Sequence, residues 1–180
     1  IEVNNYPLPQ IEELSKGNRR IGLGVMGWAE ALIKMGISYD TDDCLNMAKE
    51  VMGFVNDKAL EASEVLAEER GAFPNWKGSI FDPDSKHFRG AEHLPRHCAR
   101  TTIAPTGTIG LAAGLQGAGI EPFFAIAYTR YNAKALDALK KGEKPSESDV
   151  FHEVNPLFRE VARRNGYFGL PENDLWKKIE

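Results

Sequence analysis

Several groups of side chains in this 180-residue chain could do chemistry. Thr106-Gly107-Thr108 follows a short β-branched run, Thr101-Thr102-Ile103-Ala104, and precedes the small-residue stretch Ile109-Gly110-Leu111-Ala112-Ala113-Gly114. A strand, a glycine-containing loop with two hydroxyls and a helix start make the architecture of an anion site. Unpaired amides at a helix start point outward, glycine lets a ligand approach the main chain, and threonine hydroxyls add donors to phosphate oxygens. Each hydrogen bond to a charged phosphate contributes on the order of 1.5 to 3 kcal/mol, so Thr106, Gly107, Thr108 and Ile109 could hold one without a lysine. No lysine follows the glycine, which argues against a nucleotide triphosphatase loop. On these residues alone an N-capped structural turn stays open as the alternative.

Gly22-Leu23-Gly24-Val25-Met26-Gly27 matches the dinucleotide-binding fingerprint and opens a helix. Its context fails. A Rossmann first strand needs about five apolar residues before the glycines, whereas Gly17-Asn18-Arg19-Arg20 leave only Ile21. The acidic residue that should end a second strand is also missing, so the glycines are expected to serve close helix packing. His87, His93, His97 and Cys98 cluster in sequence, but their spacing matches no compact ligand pattern, and solvated loop histidines are the expectation. Glu121, in Gly119-Ile120-Glu121-Pro122, could act as a general acid if burial shifted its pKa, though a strand-end carboxylate paired to a neighbour is the simpler reading. Cys44 and Cys98 are too few for a disulfide scaffold and read as buried or idle thiols.

The elements that must position these groups follow from periodicity and punctuation. Tyr6-Pro7-Leu8-Pro9 leads into a short helix at residues 10–16 that Gly17 ends, and residues 28–35 form a second helix closed by Gly36. From Asp42 to Gly71 the apolar residues Leu45, Ala48, Val51, Met52, Val55, Ala59, Ala62 and Leu66 recur at helical spacing, with Asp40 or Thr41 as N-cap and Gly71 in a left-handed C-terminal conformation. Residues 72–100 lose all periodicity and form a long loop with aromatic anchors. Thr101-Thr102-Ile103-Ala104 and Phe123-Phe124-Ala125-Ile126-Ala127-Tyr128 are strand candidates whose separation permits a parallel β-α-β unit. Residues 134–149 read as a mobile linker. Asn155-Pro156 opens another helix that Gly166 closes, and residues 173–180 read as a short helix stopped without a cap.

Composition bounds the function. With 42% hydrophobic and 27% charged residues the chain is of ordinary soluble type. Its net charge of −4 carries no broad footprint for nucleic acid. No apolar run reaches the roughly 18 residues of a membrane span, and a cytoplasmic location is expected. The missing initiator Met and the uncapped end suggest a piece of something longer, so residues 1–180 are read as a single incomplete segment.

Taken in series, Asn5-x-Pro7-x-Pro9-x-Ile11-Glu12, Arg20-Ile21-Gly22-Leu23-Gly24-Val25-Met26-Gly27-x-Ala29-Glu30, Glu68-Glu69-Arg70-Gly71, Thr102-Ile103-Ala104-Pro105-Thr106-Gly107-Thr108-Ile109 and Gly119-Ile120-Glu121-Pro122-x-Phe124-Ala125 resemble the adenosylcobalamin-dependent ribonucleotide reductases in order and spacing. The resemblance covers nearly the whole chain. It implies an α/β fold in which this is a partial, helix-rich segment with few strands, from the later part of a ten-stranded α/β barrel. It also implies that Thr106, Gly107, Thr108 and Ile109 hold the phosphates of a ribonucleoside di- or triphosphate. The implied reaction reduces the ribose 2′ carbon through a protein thiyl radical formed with adenosylcobalamin, and a thioredoxin-type reductant and a possible homodimer come with it. The finger-loop cysteine motif is absent, so neither Cys44 nor Cys98 takes the radical role, and the segment alone is expected to be inactive. Leu115-Gln116-Gly117-Ala118 departs from the Cys-Ser-Ser-like run that family members often carry there. The rival readings are a nicotinamide-dependent dehydrogenase fragment and a non-catalytic anion-binding or interaction module.

Overall fold

The computed structural model describes residues 1–167. The terminal helix expected at residues 173–180 lies outside them. Helix α1 (Pro9–Asn18) starts with proline, whose missing N–H is no loss in a first turn. Gly17 does not end it. The helix runs past it to Asn18, and Gly17 is buried against Asn75, whose side-chain amide would lie 2.5 Å from any added Cβ. Arg19 supplies the left-handed stop instead, at φ 54°.

Helix α2 (Trp28–Met35) lies between two left-handed glycines, Gly27 and Gly36. Helix α3 (Asp42–Arg70) is capped by the Thr41 hydroxyl, which accepts from the Cys44 amide at 3.4 Å. Its C-terminus differs from expectation. Gly71 has positive φ but an extended ψ (78°, 155°), and the Arg96 guanidinium donates to the Arg70 and Gly71 carbonyls at 2.9 and 3.0 Å. A cation at this end also offsets the helix dipole.

The loop over residues 72–100 is irregular apart from a 3-10 turn (Pro74–Trp76), yet it is firmly seated. Phe73 and Phe81 are buried edge to face, Trp76 donates to the His93 carbonyl, and the Arg100 guanidinium lies over the Phe81 ring. Ser63, on the inner face of α3, is buried and receives the strap at residues 96–97: its carbonyl accepts from the Arg96 amide and its hydroxyl from the His97 amide. The other buried apolar side chains among the described residues are few, and they include Ala29 and Leu32 of α2, Cys44 of α3, and Ala135, Leu157 and Ala162 further along the chain.

The strand expectations need correction. Thr101 forms an isolated parallel bridge with Leu23, and the parallel β-α-β unit toward residues 123–128 does not form. Instead, β1 (Ala127–Tyr131) pairs antiparallel with β2 (Val150–Val154), Ala127 opposite Val154 and Tyr131 opposite Val150. A strand exists only through its hydrogen-bonded partner. Among the described residues, 123–126 have no such ladder, and the side chain of Phe124 is fully exposed. Of residues 134–149, the first seven belong to α5 (Ala133–Lys140), capped by Asn132, residues 141–146 are irregular, and a 3-10 turn (Glu147–Asp149) returns the chain to β2. Helix α6 (Pro156–Arg164) opens on the Asn155 side chain, which accepts from the Leu157 and Phe158 amides.

Candidate functional site

The glycine motif explains how the Thr106 loop is placed. Residues 21–24 and 99–102 run side by side, the Ile21 and Leu23 amides donating to Ala99 and Arg100, and the Thr102 amide donating back to Leu23. A Cβ on Gly24 would sit 2.0 Å from the Thr102 carbonyl oxygen, and one on Gly22 would sit 2.5 Å from the Thr102 methyl. The glycines therefore let two backbones approach closely. Gly27 adds the positive φ needed to start α2. The expectation of close packing holds, although Gly22 and Gly24 meet an extended segment rather than a helix.

That segment delivers the chain to Thr106. Helix α4 (Gly107–Ala112) begins there, but not as a threonine-capped turn: Thr106 is left-handed (φ 51°, ψ 22°) and makes no side-chain cap. A β-branched residue in this region is strained, which costs on the order of 1 to 3 kcal/mol. Its hydroxyl oxygen is buried without a hydrogen-bond partner. The first helical bond runs from the Gly110 amide to the Thr106 carbonyl at 2.7 Å, and the amides of Gly107, Thr108 and Ile109 have no partner among the described residues. Gly107, Thr108 and Ile109 are exposed. Three free donors, a strained backbone and an orphaned hydroxyl thus converge on one short loop.

The far end of α4 is held by α2. Gly114 turns the chain, Leu115 packs back on Gly27, and the next two amides, of Gln116 and Gly117, both donate to one oxygen of Glu30 at 2.5 and 3.2 Å. The Gly27 and Trp28 amides donate in return to the carbonyls of Ala118 and Gly119. Sequence reasoning missed Glu30, because its partners lie more than 80 positions away and no local pattern links them.

The other candidates are placed elsewhere. His93 pairs with Glu64 and His97 with the Ser63 hydroxyl, each through Nδ1 at 2.9 Å, so two of the three histidines dock on α3 rather than standing solvated. Of these three, His87 is the exposed one. Burial, then the charges of Arg19, Arg96 and Arg100, hold His97 below the usual histidine range. Glu121 is exposed. Cys44 is buried, Cys98 half-buried, and both are free thiols. No grouping of three or more metal-ligating side chains occurs among the described residues.

Geometry thus defines a helix-rich α/β segment that presents an amide-lined loop. A family model described as the ribonucleotide reductase barrel domain matches residues 1–167. The chain belongs to the ribonucleotide reductase family and lies in its barrel domain. It is 40% identical over 168 residues to the vitamin B12-dependent ribonucleoside-diphosphate reductase of Thermoplasma acidophilum, covering 93% of this chain and 19% of that protein. It is 41% identical over 169 residues to the protein of the same description from Mycobacterium tuberculosis, 93% of this chain and 21% of the relative. Similarity also extends to the ribonucleoside-diphosphate reductase subunit alpha of Chlamydia trachomatis, at 31% over 162 residues. The chain spans about a fifth of the length of the first two relatives.

Proposed function

We propose that this chain is part of a ribonucleotide reductase that converts ribonucleotides to deoxyribonucleotides by thiyl-radical chemistry, and that residues 106–109 hold the substrate's phosphates. The observation that carries the loop's role is the set of unpartnered amides at Gly107, Thr108 and Ile109 beside the buried, unpaired hydroxyl of Thr106. Such a loop matches phosphate in charge and in donor number. Phosphates lie away from the reacting ribose carbon, so their binding energy serves to orient the sugar and fix its distance from the radical.

The parallel pairing of residues 21–24 with 99–102 supports a place in the proposed ten-stranded barrel, where neighbouring strands run parallel. Ile21, Leu23, Ile103 and Leu111 are exposed here and are apolar surface that further barrel elements would cover. Adenosylcobalamin is the proposed cofactor of the parent, on the strength of the two B12-dependent relatives. A cleft of about 530 Å³ lined by Glu64, Glu68 and Glu92 does not fit it, because that lining is acidic whereas a corrin offers apolar faces and neutral amides. No residue of this segment is assigned to the cofactor. A thioredoxin-type reductant, a homodimeric parent and a cytoplasmic location complete the proposal; no helix among the described residues is long and apolar enough to cross a membrane.

Calorimetric titration with ADP or CDP, comparing the chain with its Thr106→Ala/Thr108→Ala form after both are shown to fold, tests the loop. Saturable binding that the double variant weakens by about tenfold or more is expected. Equal binding by both proteins would remove the threonine hydroxyls from the site. NAD titrated alongside is expected not to bind, since the Thr102 backbone fills the space beside Gly24.

A further inference from the structure

The Glu30 carboxylate reaches out of α2 to a loop that is remote in sequence. Both of its hydrogen bonds, from the Gln116 and Gly117 amides, end on the same oxygen, Oε1. Neither amide has another partner among the described residues, so the carboxylate is what satisfies this turn. The turn is the exit of α4. Between Thr106 and Gly117 the chain makes one short helix, the Gly114 reversal and the Leu115 contact with Gly27 and Gly110. A helix this short has no face wide enough to fix its own orientation, so it depends on what holds its two ends. At the entrance it is held by the 21–24 and 99–102 pairing, and at the exit by Glu30 and the reciprocal bonds of Gly27 and Trp28.

We propose that Glu30 is a positioning residue for substrate phosphate: by clamping the Gln116 and Gly117 amides it sets the direction of α4 and so aims the amides of residues 107–109. This rests on the phosphate-loop reading above. Glu30 touches no substrate atom, and its effect travels through α4 alone. Because one oxygen takes both bonds, the requirement is an acceptor at the right reach rather than a negative charge. That separates the clamp from an electrostatic role, in which a carboxylate near phosphate would be repulsive and its removal beneficial.

The test uses the full-length reductase with cofactor and reductant, a ribonucleoside diphosphate as substrate, and the variants Glu30→Gln, Glu30→Asp and Glu30→Ala beside Thr106→Ala/Thr108→Ala. KM and kcat are measured, together with the substrate Kd by equilibrium dialysis without cofactor. Glutamine keeps an acceptor at the same reach and is expected to stay within about threefold of wild type in Kd. Aspartate keeps the charge but falls one methylene short and, like alanine, is expected to raise KM and Kd about tenfold with kcat changed less than about threefold. If alanine does not fold, the aspartate and glutamine pair decides. Two results overturn the clamp: aspartate matching wild type while glutamine fails, or Kd unmoved by aspartate and alanine when the threonine double variant raises it. A Kd unmoved by the threonine double variant, with the Glu30 variants weakening binding, overturns the hydroxyl assignment and leaves the clamp standing.

Discussion

Gly24→Ala is the sharpest probe of how the loop is placed. The new Cβ would stand 2.0 Å from the Thr102 carbonyl oxygen and 3.2 Å from its carbon. That is more than about 1 Å short of ordinary contact, and the obstacle is backbone, so no side-chain rotation relieves it. To make room the two segments must part, opening the Leu23-to-Arg100 bond at 2.8 Å and the Thr102-to-Leu23 bond at 3.0 Å. Two backbone hydrogen bonds contribute about 2 kcal/mol net, overpacking costs about 1 to 3 kcal/mol, and the stiffer unfolded chain returns about 0.4 to 1 kcal/mol. A net loss of about 3 kcal/mol follows, or a fall in Tm of about 6 to 12 °C for a chain of this size. Urea unfolding followed by circular dichroism measures it, with Gly53→Ala as the control. Gly53 lies within α3 with nothing near its missing Cβ, and alanine there should stabilise by up to about 1 kcal/mol. If Gly24→Ala unfolds within about 0.5 kcal/mol of wild type, the close backbone approach is not what those glycines provide.

Thr106→Gly removes both the left-handed strain and the buried orphan hydroxyl, so it should stabilise the chain by about 1 kcal/mol in the same assay while weakening nucleotide binding; loss of stability would mean the hydroxyl has a partner. The depressed His97 has the opposite sign from a histidine paired with an acid. Its folded pKa lies below its unfolded value, so its contribution is complete above pH about 6.5 and is lost as pH falls from there through the folded pKa. Melting between pH 7.5 and 5 should therefore show a decline that His97→Gln flattens, and an unchanged slope in that variant would assign the decline to other groups.

Much of the helical framework was legible in the sequence, because its signals are local. Helix α2 lies between the glycines that bound it in the chain, α3 runs from its Thr41 cap to Gly71, and α6 opens on Asn155-Pro156. Each rests on a few neighbouring residues that satisfy or interrupt backbone bonds. The helix start at Thr106 was legible, in a glycine and small residues after a β-branched run. Its conformation was not: a capping threonine and a left-handed, uncapped one have the same letters.

Pairing across distance was decided by the tertiary structure. Nothing near Thr101 names Leu23 as its neighbour, and nothing near Glu30 names Gln116. Gly17 stays inside α1 with Asn75, remote in sequence, lying against it, although glycine on its own favours the stop that Arg19 makes instead. The histidines show the same division, since loop composition predicts solvent while Ser63 and Glu64 of α3 draw two of them down. The sequence determined where helices form and which residues carry donors and acceptors, since both depend on short-range sterics and side-chain chemistry. The tertiary structure decided which groups those donors and acceptors find, because a hydrogen bond or a close approach depends on distance in space, and that distance is set only when the whole chain has packed.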